Sequence, residues 1–132
     1  MSETDGAERR WLPEPWGARL VLLAWWGLIF AATHLPPPAV MRGTPIPDKL
    51  VHFLMYAVLG ALLPMWYGRS GVVTLRRAAW LYGVIVVYAA ADELLQIPVG
   101  RTADWLDGTA DLAGGALGLA AAIMFRRLRR SA

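Results

Sequence analysis

Three short stretches of this chain carry side chains that could do chemistry together. DKLVHFLMY supplies Asp48, Lys49, His52 and Tyr56; DELLQ supplies Asp92, Glu93 and Gln96; RTADWLDGTAD supplies Arg101, Asp104, Asp107 and Asp111. Carboxylates beside an imidazole are the equipment of general acid–base catalysis, and Lys49 and Arg101 are cations of the kind that hold a phosphate. His52, Glu93, Arg101 and Asp107 are therefore the expected reacting groups. Asp48, Lys49, Tyr56, Asp92, Gln96, Asp104 and Asp111 are the expected ligand-binding groups. A nucleophile elbow and a P-loop are both absent from the sequence. Metal ligation could use His34, His52 and carboxylates, but no H-E-x-x-H or similar spacing joins them and the chain has no cysteine, so no metal site and no cofactor are expected.

The spacings say how helices would present these groups. Asp48, His52 and Tyr56 recur every fourth residue and stack on one helix face. Asp48 falls at a helix start, where the dipole favours an acid, and could hold His52 in one tautomer. Glu93 and Gln96 can share a face, whereas Asp92 lies about 100° round the helix from Glu93 and must look elsewhere. Asp104, Asp107 and Asp111 follow i, i+3, i+7, and Gly114, Gly115 and Gly118 continue their stripe. Gly114 and Gly118 form a GxxxG, which lets a second helix approach closely. Gly108 is expected to break this helix in two, with Thr109 capping the second part.

Four apolar runs must position the three stretches. They are Leu20 to Leu35, Leu50 to Tyr67, Ala78 to Ile97 and Leu112 to Phe125, punctuated by Pro36-Pro37-Pro38, Pro45, Pro47, Pro98 and Gly100. The first and fourth cores are short of the roughly 20 residues a span needs, and reach that length only with flanking residues or a locally thinner bilayer. Each run is apolar on every face, which is not the pattern of a soluble amphipathic bundle. The apolar share of the 132 residues is 57%, and seven are Trp. The expected fold is all-α: one integral membrane bundle of four transmembrane helices over 16–126, with a polar tail at 1–15 and a basic tail at 127–132. Arg9-Arg10 lacks the surroundings of an export signal, so the first run is retained as a span. Trp66, Tyr67 and Trp80 suit an interfacial belt, and Pro64 is expected to kink the second helix.

Charge sets the orientation. Arg9, Arg10, Arg19, Arg69, Arg76, Arg77, Arg126, Arg127, Arg129 and Arg130 fall on one side, and Arg42, Lys49 and Arg101 on the other, so ten of the 13 basic residues place both termini in the cytoplasm. The acids of the three stretches then gather near the outward face. The basic tail anchors topology and attracts anionic lipid, while no fold or aromatic platform suits nucleic acid.

DKLVHFLMYAVLGALL, DELLQ and GRTADWLDGTADLAGGALG together resemble the VanZ-like membrane family over about residues 48–118. On that resemblance, Asp48, Lys49, His52, Phe53 and Tyr56 match one family element, Asp92, Glu93 and Gln96 a second, and Arg101, Asp104, Asp107, Gly114 and Gly118 a third. Asp111 stands where the family usually has Asn. The resemblance implies a place in the bacterial plasma membrane and a link to resistance against the lipoglycopeptide teicoplanin, without naming a reaction.

Three functions fit these residues. The cluster could act chemically on a lipid-linked envelope precursor, with His52 and Glu93 as base and acid. It could bind such a precursor or a glycopeptide antibiotic without reaction. It could simply lock helices together, with Arg101 bridging Asp104 or Glu93 and His52 bonded to Glu93. Membrane lipids are partners under each of them. Proton-coupled transport has little room in four short helices.

Overall fold

The computed structural model describes residues 15–35, 48–67, 72–100 and 104–131. They form four helices: α1 Pro15–His34, α2 Asp48–Leu62, α3 Leu75–Gln96 and α4 Trp105–Ser131, with no strand among the described residues. Each helix stops for a local reason. Three consecutive prolines follow α1 in the sequence and cannot continue its hydrogen bonding. α2 passes into a 3₁₀ turn, Leu63–Tyr67, at Pro64, which has no N–H to give. α3 begins at Thr74, whose side chain accepts the Arg77 N–H at 3.3 Å. It ends in the 3₁₀ turn Ile97–Val99, closed by Gly100 at φ 81°, a left-handed backbone that glycine adopts without strain.

α4 starts at Asp104, whose Oδ1 accepts the Leu106 N–H at 2.9 Å. The expected break at Gly108 does not occur. The Gly108 N–H reaches Asp104 O at 3.2 Å and the helix runs unbroken to Ser131. Thr109 caps nothing; its hydroxyl donates to Leu106 O at 2.8 Å. One glycine costs a helix only about 1 kcal/mol against alanine, too little to break a segment packed on its neighbour.

All four helices are long and apolar enough to cross a membrane: Trp16–His34, Asp48–Tyr67, Leu75–Gln96 and Trp105–Ser131. The first and fourth runs thus reach span length by taking in flanking residues. Burial confirms the environment. Val87, Trp80, Met124 and Leu54 are more than half exposed, while His52, Asp92, Gln96, Asp107 and Asp111 are buried. Water would favour the reverse arrangement; hydrocarbon favours this one. A broad groove of about 800 Å³ between α1 and α3, walled by Leu22, Trp26, Trp66, Trp80 and Val84, offers acyl chains an apolar surface.

The closest helix pair is α2 with α4. A Cβ added at Gly114 would run into the carbonyl of Phe53, one at Gly118 into that of Ala57, and one at Gly60 into that of Gly115. The GxxxG of α4 is therefore its seam with α2. Leu22, Ile29, Tyr56, Leu59, Ile85 and Leu119 fill the space among the helices. α1 is tied in by Trp25, whose indole N–H donates to Met55 O at 3.0 Å, and by Trp26 edge-on to Tyr88 at 5.1 Å.

Candidate functional site

The antiparallel path brings the end of α1, the start of α2, the end of α3 and the start of α4 to one end of the bundle. Polar groups from all four helices meet there in two layers. The inner layer is buried. His52 Nδ1 lies 3.0 Å from Asp111 Oδ1 across the α2–α4 seam. Asp92 faces α1 instead, taking the Thr33 hydroxyl on Oδ1 at 2.9 Å, with His34 Nδ1 at 3.7 Å from the same oxygen. Its other oxygen lies 3.5 Å from Gln96 Nε2, one turn along α3.

The outer layer forms a lip. Lys49 Nζ sits between Asp104 Oδ2 at 2.9 Å and Asp107 Oδ1 at 3.1 Å, with its side chain 45% exposed. Glu93 reaches from α3 to accept the Asp104 backbone N–H on Oε2 at 2.8 Å. Asp104 is thus helix cap, ion-pair partner and anchor for Glu93 at once. The Leu106 N–H, and next the Lys49 ammonium, hold its carboxyl below the ordinary value.

A carboxyl depressed on folding gives stability that is full above its unfolded value, near 3.9, and that drains away as pH falls through the folded value. Acid should therefore loosen the start of α4. The apparent Tm of the detergent-solubilised wild type is expected to fall more steeply between pH 5 and 2 than that of Asp104→Asn, which keeps a capping oxygen without the charge. Parallel curves would mean that Asp104 carries no such linkage.

Several expected partnerships are redrawn. His52 Nδ1 is held by Asp111 of α4, where the sequence suggested Asp48; Asp48 itself is exposed on the first turn of α2. Gln96 goes with Asp92, not with Glu93. Glu93 holds the Asp104 backbone rather than His52. The expectation that Asp92 and Glu93 look different ways holds, toward α1 and α4 respectively. Asp107 and Asp111 share a buried face of α4, as i and i+4. Tyr56 is fully buried with an unpartnered hydroxyl. Arg101 lies outside the described residues. His34, considered in the sequence only as a metal ligand, lies beside Asp92 instead, and Thr33 was not singled out there; its signal was a polar residue closing an otherwise apolar run, just before the three prolines.

The arrangement is rich in acid. Asp48, Asp92, Glu93, Asp104, Asp107 and Asp111 stand against Lys49 and the two histidines among the described residues. Beside His52 a cavity of about 30 Å³, walled by Ile29, Thr33, Asp48, Met55 and Tyr56, has room for water or a bare ion but not for a lipid head group. A buried imidazole held by a carboxylate can take up and release a proton at a fixed place.

Fold and site together define a class: a four-span membrane protein that concentrates its titratable groups inside one end of the bundle. The VanZ/LLP1 family model matches residues 4–126, and the chain belongs to that family. No curated protein and no solved structure matches it.

Proposed function

We propose that this VanZ/LLP1 protein lies in the bacterial plasma membrane with both termini in the cytoplasm. Its acid–histidine end would face outward and engage the polar head of a lipid-linked envelope precursor, protecting the cell against glycopeptide and lipoglycopeptide antibiotics. The orientation is supported by the ten-to-three division of basic residues. The observation that carries the reading is the His52–Asp111 pair, 3.0 Å apart and buried at the margin of the spans. Ionisable groups are costly within a bilayer, at about 2.5–3.5 kcal/mol each on insertion scales, and are retained where they work. The head group would rest on the half-exposed lip at Lys49 and Asp104. Only a single small group or a water would reach His52, which with Glu93 would move the proton.

The test pairs a phenotype with binding. In a strain lacking the protein, plasmid-borne wild type should raise the teicoplanin concentration needed to stop growth. His52→Asn and Glu93→Gln should each abolish that protection while the purified variants still retain a lipid-linked precursor in a co-sedimentation assay. Loss of protection and retention together would instead mark a binder without chemistry. A second reading, a scaffold, is favoured by the mutual pairing of Lys49, Asp104, Asp107 and Glu93. It wins if both variants alter only thermal stability.

A further inference from the structure

We infer that His52, Glu93 and Asp111 form a binding site for one divalent first-row cation, of the Mn²⁺ or Zn²⁺ kind. Each residue comes from a different helix: α2, α3 and α4. One donor atom of each lies within 4.8 Å of the other two. Around a metal with bonds of about 2.0–2.2 Å, neighbouring donors sit about 3–3.5 Å apart, so small side-chain rotations close the set.

Geometry alone would describe any knot of acids, but the hydrogen bonding is incomplete in a particular way. Asp111 is fully buried and its Oδ2 has no hydrogen-bond partner; Glu93 Oε1 is buried and also has none. Tyr56, 0% exposed, adds a third unpartnered oxygen on the same helix as His52. Buried polar atoms in folded proteins are nearly always satisfied. Unpaired acceptors on two acids whose donor atoms gather within 4.8 Å of His52 and of each other call for a positive charge near them. A proton shared by the two carboxyls would satisfy one line between them and leave the imidazole outside it; a divalent cation satisfies both oxygens and takes a ring nitrogen as well.

One imidazole and two carboxylates are a mixed hard and borderline set. It suits Mn²⁺ and Zn²⁺ better than Mg²⁺, which keeps its own waters, or Cu⁺, which seeks sulfur. A second set, Asp48, His52 and Asp107, has comparable spacing but is the poorer site. Lys49 already occupies Asp107 Oδ1, and Asp48 is open to solvent. Lys49 and Asp107 would instead border the occupied site, with the cation offsetting the surplus of acid at this end of the bundle.

The full chain, purified in detergent and dialysed against EDTA, should be titrated calorimetrically with ZnCl₂, MnCl₂ and MgCl₂. One equivalent of Zn²⁺ or Mn²⁺ per chain is expected. At a hundredfold excess over Kd, the apparent Tm should rise by about 10 °C. His52→Gln, Glu93→Gln and Asp111→Asn should each weaken binding at least a hundredfold, and His34→Gln should leave it unchanged. If a variant fails to fold, elemental analysis of the undialysed wild type and its Tm with and without EDTA decide instead. No equivalent of metal and no Tm shift would overturn the inference. So would binding that survives Glu93→Gln and Asp111→Asn, which would put the ion elsewhere. These readouts need no envelope precursor; with the ion bound, His52 and Glu93 would be its ligands and not the proton carriers of the head-group reading, so the two readings stand or fall separately.

Discussion

Gly118→Val is expected to leave little folded protein, the largest loss of any single change in the bundle. The site of the change is bare backbone on both sides. Even the Cβ of an alanine at 118 would overlap the Ala57 carbonyl, and valine adds two more methyls at the same point. Neither wall is a flexible side chain that could swing aside. α2 and α4 must move apart along a seam that also runs through Gly114 and Gly60. Overpacking a tight interior costs about 1–3 kcal/mol, and a rigid backbone contact places this change at or above the top of that range. The separation would also pull His52 from Asp111, because the pair bridges the same seam. The natural control lies elsewhere in the chain. Gly27 and Gly83 have nothing within 4 Å of where a Cβ would go. Alanine at either should stabilise its helix by about 0.5–1 kcal/mol. Thermal unfolding in detergent and the yield of monodisperse protein read both effects. A Gly118→Val protein that melts with the wild type would show that the two helices do not meet there.

The seam was legible in the sequence because close approach demands small residues at a fixed interval, and GxxxG meets that demand wherever it sits. The four spans were legible for a similar reason: bilayer thickness sets a length, and four apolar runs of about that length are hard to read otherwise. Their ends were less clear. Hydropathy sees Leu112 to Phe125, but α4 runs from Trp105 to Ser131, since a helix keeps going through its polar turns at the membrane surface. The same holds for the site. Spacing identified which residues share a face, and so correctly turned Asp92 and Glu93 in different directions. It could not say which neighbouring helix each face meets. Asp48 lies one turn from His52 in sequence, but the rotation of α2 against α4 delivers Asp111 to Nδ1 instead. Thr33 meets Asp92 only because α1 packs beside α3, and no pattern within either segment contains that fact. A donor set spread over three helices is invisible to motif spacing for the same reason, which is why no metal site was expected from sequence.

Asp111 is the residue at which these arguments can be separated most sharply, because its three possible replacements act on different atoms. Asp111→Leu removes the acceptor that holds His52 and leaves the Nδ1 position facing hydrocarbon; breaking a buried pair on one side costs about 3–5 kcal/mol. Asp111→Ala does the same and leaves a void besides. Asp111→Asn keeps the oxygen that faces His52 and replaces the unpartnered Oδ2 by an amide with protons to give. Glu93, with a carboxylate oxygen within 4.8 Å of one of Asp111 and its buried Oε1 without a donor, is the group that could accept from it. In EDTA, Asp111→Asn should therefore match or exceed the wild type, by about 1–2 kcal/mol, the strength of an interhelical hydrogen bond in a membrane host. The order of apparent Tm should be Asn at or above Asp, and Asp well above Leu and Ala. Added Zn²⁺ or Mn²⁺ should reverse the first comparison, raising Asp above Asn, because the carboxylate's second oxygen then has a cation to bind. If Asn falls as far as Leu in EDTA, the pairing between α2 and α4 depends on the charge of residue 111 and not on its hydrogen bond. On the family resemblance carried by the flanking motif, Asn is the usual residue here and the aspartate is the departure. It leaves a buried oxygen unsatisfied in the bare protein, and the reversal of Tm order on adding metal is the measurement that would give that oxygen a purpose.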